Sequence, residues 1–200
     1  MQTAYRLLSA AALALASATT FAAATIYTSS ASFLANVLPG SYTENFNGLT
    51  NPPPTAFANG GFSYTVSAPN GLYASGDFLG TNQIDEALTI TFTGNAVTAI
   101  GGNFYSSDLD DDFQAVSMTI TLSDGTIEIF TPTSASDSYR GFTAQLPFTS
   151  LVISAPGQSL YAGLDNLTIG RSLASVPEPT SWALVALAVA GLGIARRRAA

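Results

Sequence analysis

The chain contains no cysteine, no histidine and no lysine, and each absence removes a class of chemistry. Without Cys or His there is no Ser-His-Asp or Cys-His nucleophilic site, and no zinc centre built on thiolate or imidazole. Without Lys there is no P-loop lysine and no Schiff-base nucleophile. A chain with no disulfide framework must be held by its hydrophobic core, with or without a bound cation. Charge is scarce at 10% of residues. For catalysis only paired carboxylates remain, the arrangement used in glycoside hydrolysis.

The few charges are unevenly placed. Arg6, Arg140, Arg171, Arg196, Arg197 and Arg198 are the basic residues, so the stretch from Thr25 to Val176 sets two arginines against twelve acids, a net charge of −10. Such a field repels nucleic acid and anionic headgroups and attracts cations. No nucleic-acid partner is expected.

Both ends are apolar. Arg6 precedes the run Leu7 to Ala16, and small residues follow, ending at Ala22-Ala23-Ala24. That order of basic, apolar and small-residue regions is the pattern of a secretory signal peptide over 1–24. At the other end, Val176-Pro177-Glu178-Pro179 leads into Trp182 to Ala195, which carries no charge, and then into Arg196-Arg197-Arg198. The two prolines keep the linker extended. A transmembrane helix is expected over 181–195, with Trp182 at one interface and the arginines holding the far end on the cytoplasmic side.

Proline-flanked Glu178, a short apolar helix and a terminal Arg cluster, in that order, resemble the PEP-CTERM sorting domain. The resemblance implies export across the inner membrane, transient anchoring, and cleavage near Pro179 by an exosortase-type sorting enzyme. Val176, Pro177, Glu178 and Pro179 would be the sorting motif, and Arg196, Arg197 and Arg198 the topology anchor. The delivered product would reside at the cell surface or outside the cell.

Between the ends, over 25–175, the pattern is alternation. Phe62 to Val66, Leu88 to Phe92, Val116 to Leu122 and Ile127 to Phe130 each place apolar and polar side chains on opposite faces, as half-buried strands do. Further strands are expected at Val97 to Tyr105, Tyr139 to Ala144, Leu151 to Ala155 and Leu164 to Ile169. Ser123-Asp124-Gly125-Thr126 predicts a hairpin with a type I′ turn. Gly101-Gly102 suits a bulge or a close backbone approach. One short helix is expected over Ser32 to Leu38, capped by Ser30, and Asn51 to Phe57 reads as a rigid loop. With 17 Gly and 10 Pro in 200 residues, these signals predict an all-β fold, an antiparallel β-sandwich. Scattered motifs, Glu44 to Gly48 and Leu164 to Gly170 among them, are similar to the jelly-roll sandwiches of carbohydrate-binding modules.

Three features carry the candidate chemistry. The resemblance to calcium-stabilised jelly rolls implies a cation site at Glu44, Asp165 and Asn166; alternatively, Asp165-Asn166 caps a turn before the last strand. The run Asp108-Leu109-Asp110-Asp111-Asp112 offers a second calcium expectation through Asp108, Asp110 and Asp112, although an EF-hand register fails at Phe113 and Thr119; a solvated acidic loop is the plainer reading. Tyr64, Tyr73, Tyr105, Tyr139 and Tyr161 are the aromatic candidates for stacking on a sugar, and equally core residues. The expected function is non-catalytic exopolysaccharide or matrix binding. A structural or adhesive protein-binding module and a carboxylate-dependent glycan-active enzyme stand as alternatives.

Overall fold

A computed structural model describes residues 23–173. The sorting tail with its expected helix and Arg cluster, and the expected signal segment before Ala23, lie outside the described residues. Among the described residues no helix is long and apolar enough to cross a membrane.

Strands β1 (Thr25–Tyr27), β2 (Tyr42–Glu44), β5 (Leu72–Ala74), β6 (Leu79–Thr81), β8 (Val97–Ser107), β9 (Phe113–Gln114), β12 (Tyr139–Phe148) and β14 (Tyr161–Gly170) form one sheet. Its main order is β1-β12-β8-β14-β6-β5, with β2 also on β14 and β9 on β8. Strands β3 (Ala56–Asn59), β4 (Phe62–Ser67), β7 (Leu88–Phe92), β10 (Met118–Leu122), β11 (Ile127–Phe130) and β13 (Ser150–Ser154) form the second, in the order β11-β10-β13-β7-β4-β3. The pairings are antiparallel. From β7 onward the chain crosses repeatedly between sheets, which is the connectivity of a jelly-roll-like sandwich.

Alternation decides which side chains meet between the layers. Ile90, Ile120, Leu151 and Ile153 from the second sheet pack against Ile100, Phe104, Leu164 and Leu167 from the first, all fully buried. Their neighbours Thr65, Thr89, Thr91, Thr119 and Thr121 take the opposite face and stay partly or fully exposed. Ser106, buried in the core, satisfies its hydroxyl by donating to Met118 Sδ at 2.9 Å. Ala24 is also buried and donates its N–H to Thr126 Oγ1 at 3.0 Å, so the ordered body begins before Thr25.

Local structure departs from sequence expectation in instructive ways. Helix α1 is Ser30–Leu34, starting two residues and ending four residues earlier than expected, and its cap is Ser29 rather than Ser30: Ser29 is extended and accepts the N–H of Ser32 at 3.3 Å. Its Phe33 lies flat on the outer face of the first sheet, over Gly101 and Gly141, where a Cβ would come within 2.8 Å and 2.6 Å of the ring. At Gly101 the expected close backbone approach is replaced by two side chains, the Tyr139 hydroxyl and the Phe33 ring, while Gly102 has the Asp165 carbonyl within 3.2 Å of its Cβ position. The Asp-Gly hairpin forms, but not through a type I′ turn. Gly125 N–H bonds Leu122 O at 3.0 Å and Gly125 alone takes positive φ, at 90°, which gives a three-residue loop ending in a glycine bulge. Asn51 to Phe57 is a loop only in part, since β3 begins at Ala56.

The bulge between Asp165 and Thr168 positions the site. Before it β14 pairs with β6, and after it with β2, while β8 runs along the other edge throughout. Asn166, at φ 52°, is the residue that absorbs the change of partner.

Candidate functional site

The outer face of the first sheet divides into two parts. One is covered by α1, whose Phe33 packs with Ala99 and Tyr139. The other, around β5, β6 and the ends of β8 and β14, is open. There β8 turns Asn103 and Tyr105 outward against Asp165 and Gly163 of β14. Gly163 brings no side chain, so Phe78 and Tyr105 close over it in an edge-on pair, with ring centroids 5.5 Å apart. Phe113 of β9 extends this floor at 6.2 Å from Tyr105.

Above the floor lies a cleft of about 190 Å³ lined by Tyr73, Phe78, Thr81, Asn82, Ser107, Asp108, Leu109, Asp111 and Tyr161. This is less than the ~300–1,000 Å³ of pockets that engulf a drug-sized ligand. The acidic run forms one wall. Asp108 Oδ1 accepts the backbone N–H of Asp110 at 3.0 Å and of Asp112 at 3.1 Å, and its Oδ2 accepts from Gln114 Nε2 at 2.6 Å. That carboxylate folds the tip. Asp111, in the left-handed region at φ 66°, accepts the Tyr73 hydroxyl at 2.8 Å and ties the tip to β5.

The electrostatics of the cleft are one-signed. Burial pushes the Tyr105 phenol far up, and the negative charges of Asp165, Asp111 and Asp77 push it further. Burial raises the Asp165 carboxyl too, with help from Asp77, against a backbone hydrogen bond from Asn166. Bonding to Asp111 raises the Tyr73 phenol. Among the described residues no arginine lines the cleft.

The two calcium expectations meet obstacles of different kinds. Glu44 pairs with the core residue Leu167, whereas Asp165 pairs with Asn103 on the outer face, so the two carboxylates belong to opposite faces of the sheet. Glu44 is engaged inward, accepting from the Tyr42 hydroxyl at 2.6 Å and the Phe46 N–H at 3.2 Å. Asn166 donates to Asp165 Oδ2 at 2.7 Å and to Asn103 Oδ1 at 3.3 Å, stiffening the bulge. Asp108, Asp110 and Asp112 do not converge either. Among the described residues no group of three His, Cys, Asp or Glu side chains is placed to hold a metal ion.

The tyrosines separate by environment. Tyr64 and Tyr139 are buried structural residues, Tyr105 belongs to the floor, and Tyr73 and Tyr161 reach the cleft partly exposed. Sequence reasoning missed Phe78, Asn82 and Asp111 as partners of these two. The signal lay in Ser75-Gly76-Asp77-Phe78, where Ser75 Oγ accepts the N–H of Asp77 and Phe78 and so joins β5 to β6 as a tight hairpin.

Comparison with known proteins assigns the far end of the chain: residues 175–198 match the PEP-CTERM protein-sorting motif. No curated protein matches the chain. Among solved structures it is similar to one described as the crystal structure of Agl-KA catalytic domain, with 14% identity and a TM-score of 0.34. That alignment covers 67% of this chain and 30% of the other, so the chain spans less than a third of that structure's length. A likeness at this level says nothing about activity.

Proposed function

We propose a binding role for the body of this protein, whose PEP-CTERM motif makes it an exported chain recognised by exosortase-type sorting machinery. After transient membrane anchoring and cleavage near Pro179, the sandwich is presented at the cell surface or released, and there it holds exopolysaccharide or matrix material without transforming it. The observation that carries this reading is the cleft, in which Tyr73 and Tyr161 stand beside Asn82, Asp108 and Asp111 over an aromatic floor. A pyranose presents a flat C–H face and a rim of hydroxyls. Aromatic walls accommodate the first, and carboxylate and amide groups bond the second.

A non-catalytic role is supported by the state of the two lining carboxylates. Asp108 is occupied by two backbone N–H groups and Gln114, which leaves Asp111, bonded once by Tyr73, as the one lining carboxylate with acceptor sites to spare. Glycoside hydrolysis requires one carboxyl free to donate a proton and a second free to attack or to activate water.

The test is retention of the purified full chain on a glycan array, with calcium and with chelator. Retention on polysaccharide is expected, with a loss of about tenfold in affinity for Tyr161→Ala, or ~1.4 kcal/mol. Retention on no glycan would favour a protein-binding, adhesive module instead. Release of sugar products, abolished by Asp111→Asn, would overturn the non-catalytic assignment.

A further inference from the structure

The charge around the cleft narrows the ligand further, granted the binding role just proposed. We infer that the cleft takes an amino-sugar polymer with free amines, a cationic glycan, in preference to a neutral or acidic one.

Two carboxylates line the cleft and two more stand near its floor, with no counter-charge in the lining among the described residues. Asp108 and Asp111 line it, and Asp77 and Asp165 are close enough to act on the buried Tyr105 beneath it. The two arginines of the described residues are both elsewhere. Arg140 bonds Glu128 at 3.3 Å and lies over the Phe130 ring at 3.8 Å, and Arg171 lines a separate depression with Leu38 and Phe62. A uronate or sulfate approaching the cleft would meet uncompensated repulsion from Asp108 and Asp111, within a body that already carries −10.

The hydrogen-bonding chemistry agrees. Asp111 spends one lone pair on Tyr73, and the rest of its carboxylate still accepts. A 2-amino sugar brings an ammonium with three donors, which a carboxylate accepts as a charge-assisted bond. The faces of Tyr73 and Tyr161 also attract a cation through their ring quadrupoles. A lysine side chain carries the same charge, but it loses rotamer freedom on binding and has no ring to fill a cleft between two tyrosines.

Calorimetric titration of the full chain with chitosan oligosaccharide, its fully N-acetylated counterpart, an alginate oligosaccharide and oligo-lysine tests the inference. The deacetylated sugar is expected to bind at least about tenfold more tightly than the acetylated one, with the gap shrinking as salt rises past about 0.5 M. Asp111→Asn should weaken the deacetylated sugar by a larger factor than the acetylated one, and Asp165→Asn, outside the cleft lining, should weaken the deacetylated sugar and leave the acetylated one unchanged, with melting curves confirming that both variants fold. Equal affinity for the acetylated sugar, or preference for alginate, would overturn the inference and leave the binding role standing. Oligo-lysine binding as tight as chitosan and insensitive to Tyr161→Ala would also overturn it, by reducing the cleft to a diffuse charged surface. Failure of every glycan to bind would remove the binding role itself.

Discussion

Single residues show how the fold handles polar groups that have been taken from water. Tyr42 donates a hydrogen bond to Glu44, while Tyr64, whose ring centroid is 6.1 Å from that of Tyr42, has a buried hydroxyl with no hydrogen-bond partner among the described residues. A buried donor without an acceptor costs about 1–3 kcal/mol. Tyr64→Phe is therefore expected to leave stability unchanged or to raise it by up to ~1 kcal/mol, measured by urea denaturation. Asp165 and Asp137 predict opposite responses to pH. Burial holds the Asp165 carboxyl above its ordinary 3.8, so its ionised form opposes folding at neutral pH, and that penalty disappears below the ordinary value. Asp165→Asn should be more stable than the parent at pH 7, and the advantage should vanish in acid. Asp137, which accepts the N–H and hydroxyl of Thr133, has its carboxyl held low, so its support exists at neutral pH and is lost on acidification. If denaturation shows Asp165→Asn to be the less stable protein at pH 7, the burial argument for the outer face is wrong. Glu44, Tyr64 and Asp165 could be named from sequence as candidates, Tyr42 and Asp137 were not, and the roles of all five depended on tertiary contacts.

At the scale of elements, α1 and the bulge in β14 matter most. Phe33 is the single fully buried residue of α1, set over Gly101 and Gly141. Phe33→Ala is expected to cost about 3–5 kcal/mol. Gly141→Ala should cost about 1–3 kcal/mol, because the added methyl would meet the Cβ and ring of Phe33, which cannot both move aside. Thermal melts of the two variants and of the double variant check this, since non-additivity is expected for groups in contact. Strands β4 and β7, with a strict two-residue period, were legible almost to the residue, whereas β11 was legible only in its bounds: its Ile127 and Ile129 face outward, 60% and 66% exposed, and Glu128 takes the inner side opposite Ile120. Short strands such as β2, β5, β6 and β9 were not, because three or two residues are too few to show a period. The turn type at Ser123-Asp124-Gly125 was misread for a related reason. Asp-Gly permits two hairpin geometries, and the pairing of Thr121 with Ile127 selects between them.

At the largest scale charge governs: the stretch from Thr25 to Val176 carries a net −10 with only two arginines. Self-repulsion of that size opposes compactness. Sodium chloride at about 1 M should raise the melting temperature relative to low salt, because the Debye length falls to ~3 Å. A melting temperature that is flat or falling with salt would mean that the acids are already compensated. The same scale governs delivery: mass spectrometry of surface-released protein is expected to find a new C-terminus near Pro179, and material ending in intact Arg198-Ala199-Ala200 would contradict the processing.

The amino-acid sequence alone determined the address, the fold class and the excluded chemistry, because each of these is written in contiguous residues or in what is missing. A sorting motif and a two-residue alternation are both local, and the lack of His, Cys and Lys holds in any conformation. The cleft was decided only in three dimensions. Tyr73, Asp111 and Tyr161 are far apart in the chain, and their meeting depends on the β14 bulge, the β5-β6 hairpin and the β9 tip arriving at one end of one sheet. Strand pairing is long-range, so neighbours across a sheet leave no trace in the spacing of residues along the chain. For the same reason Glu44 and Asp165, which the sequence allowed to share a site, were separated once β2 and β14 paired and set them on opposite faces.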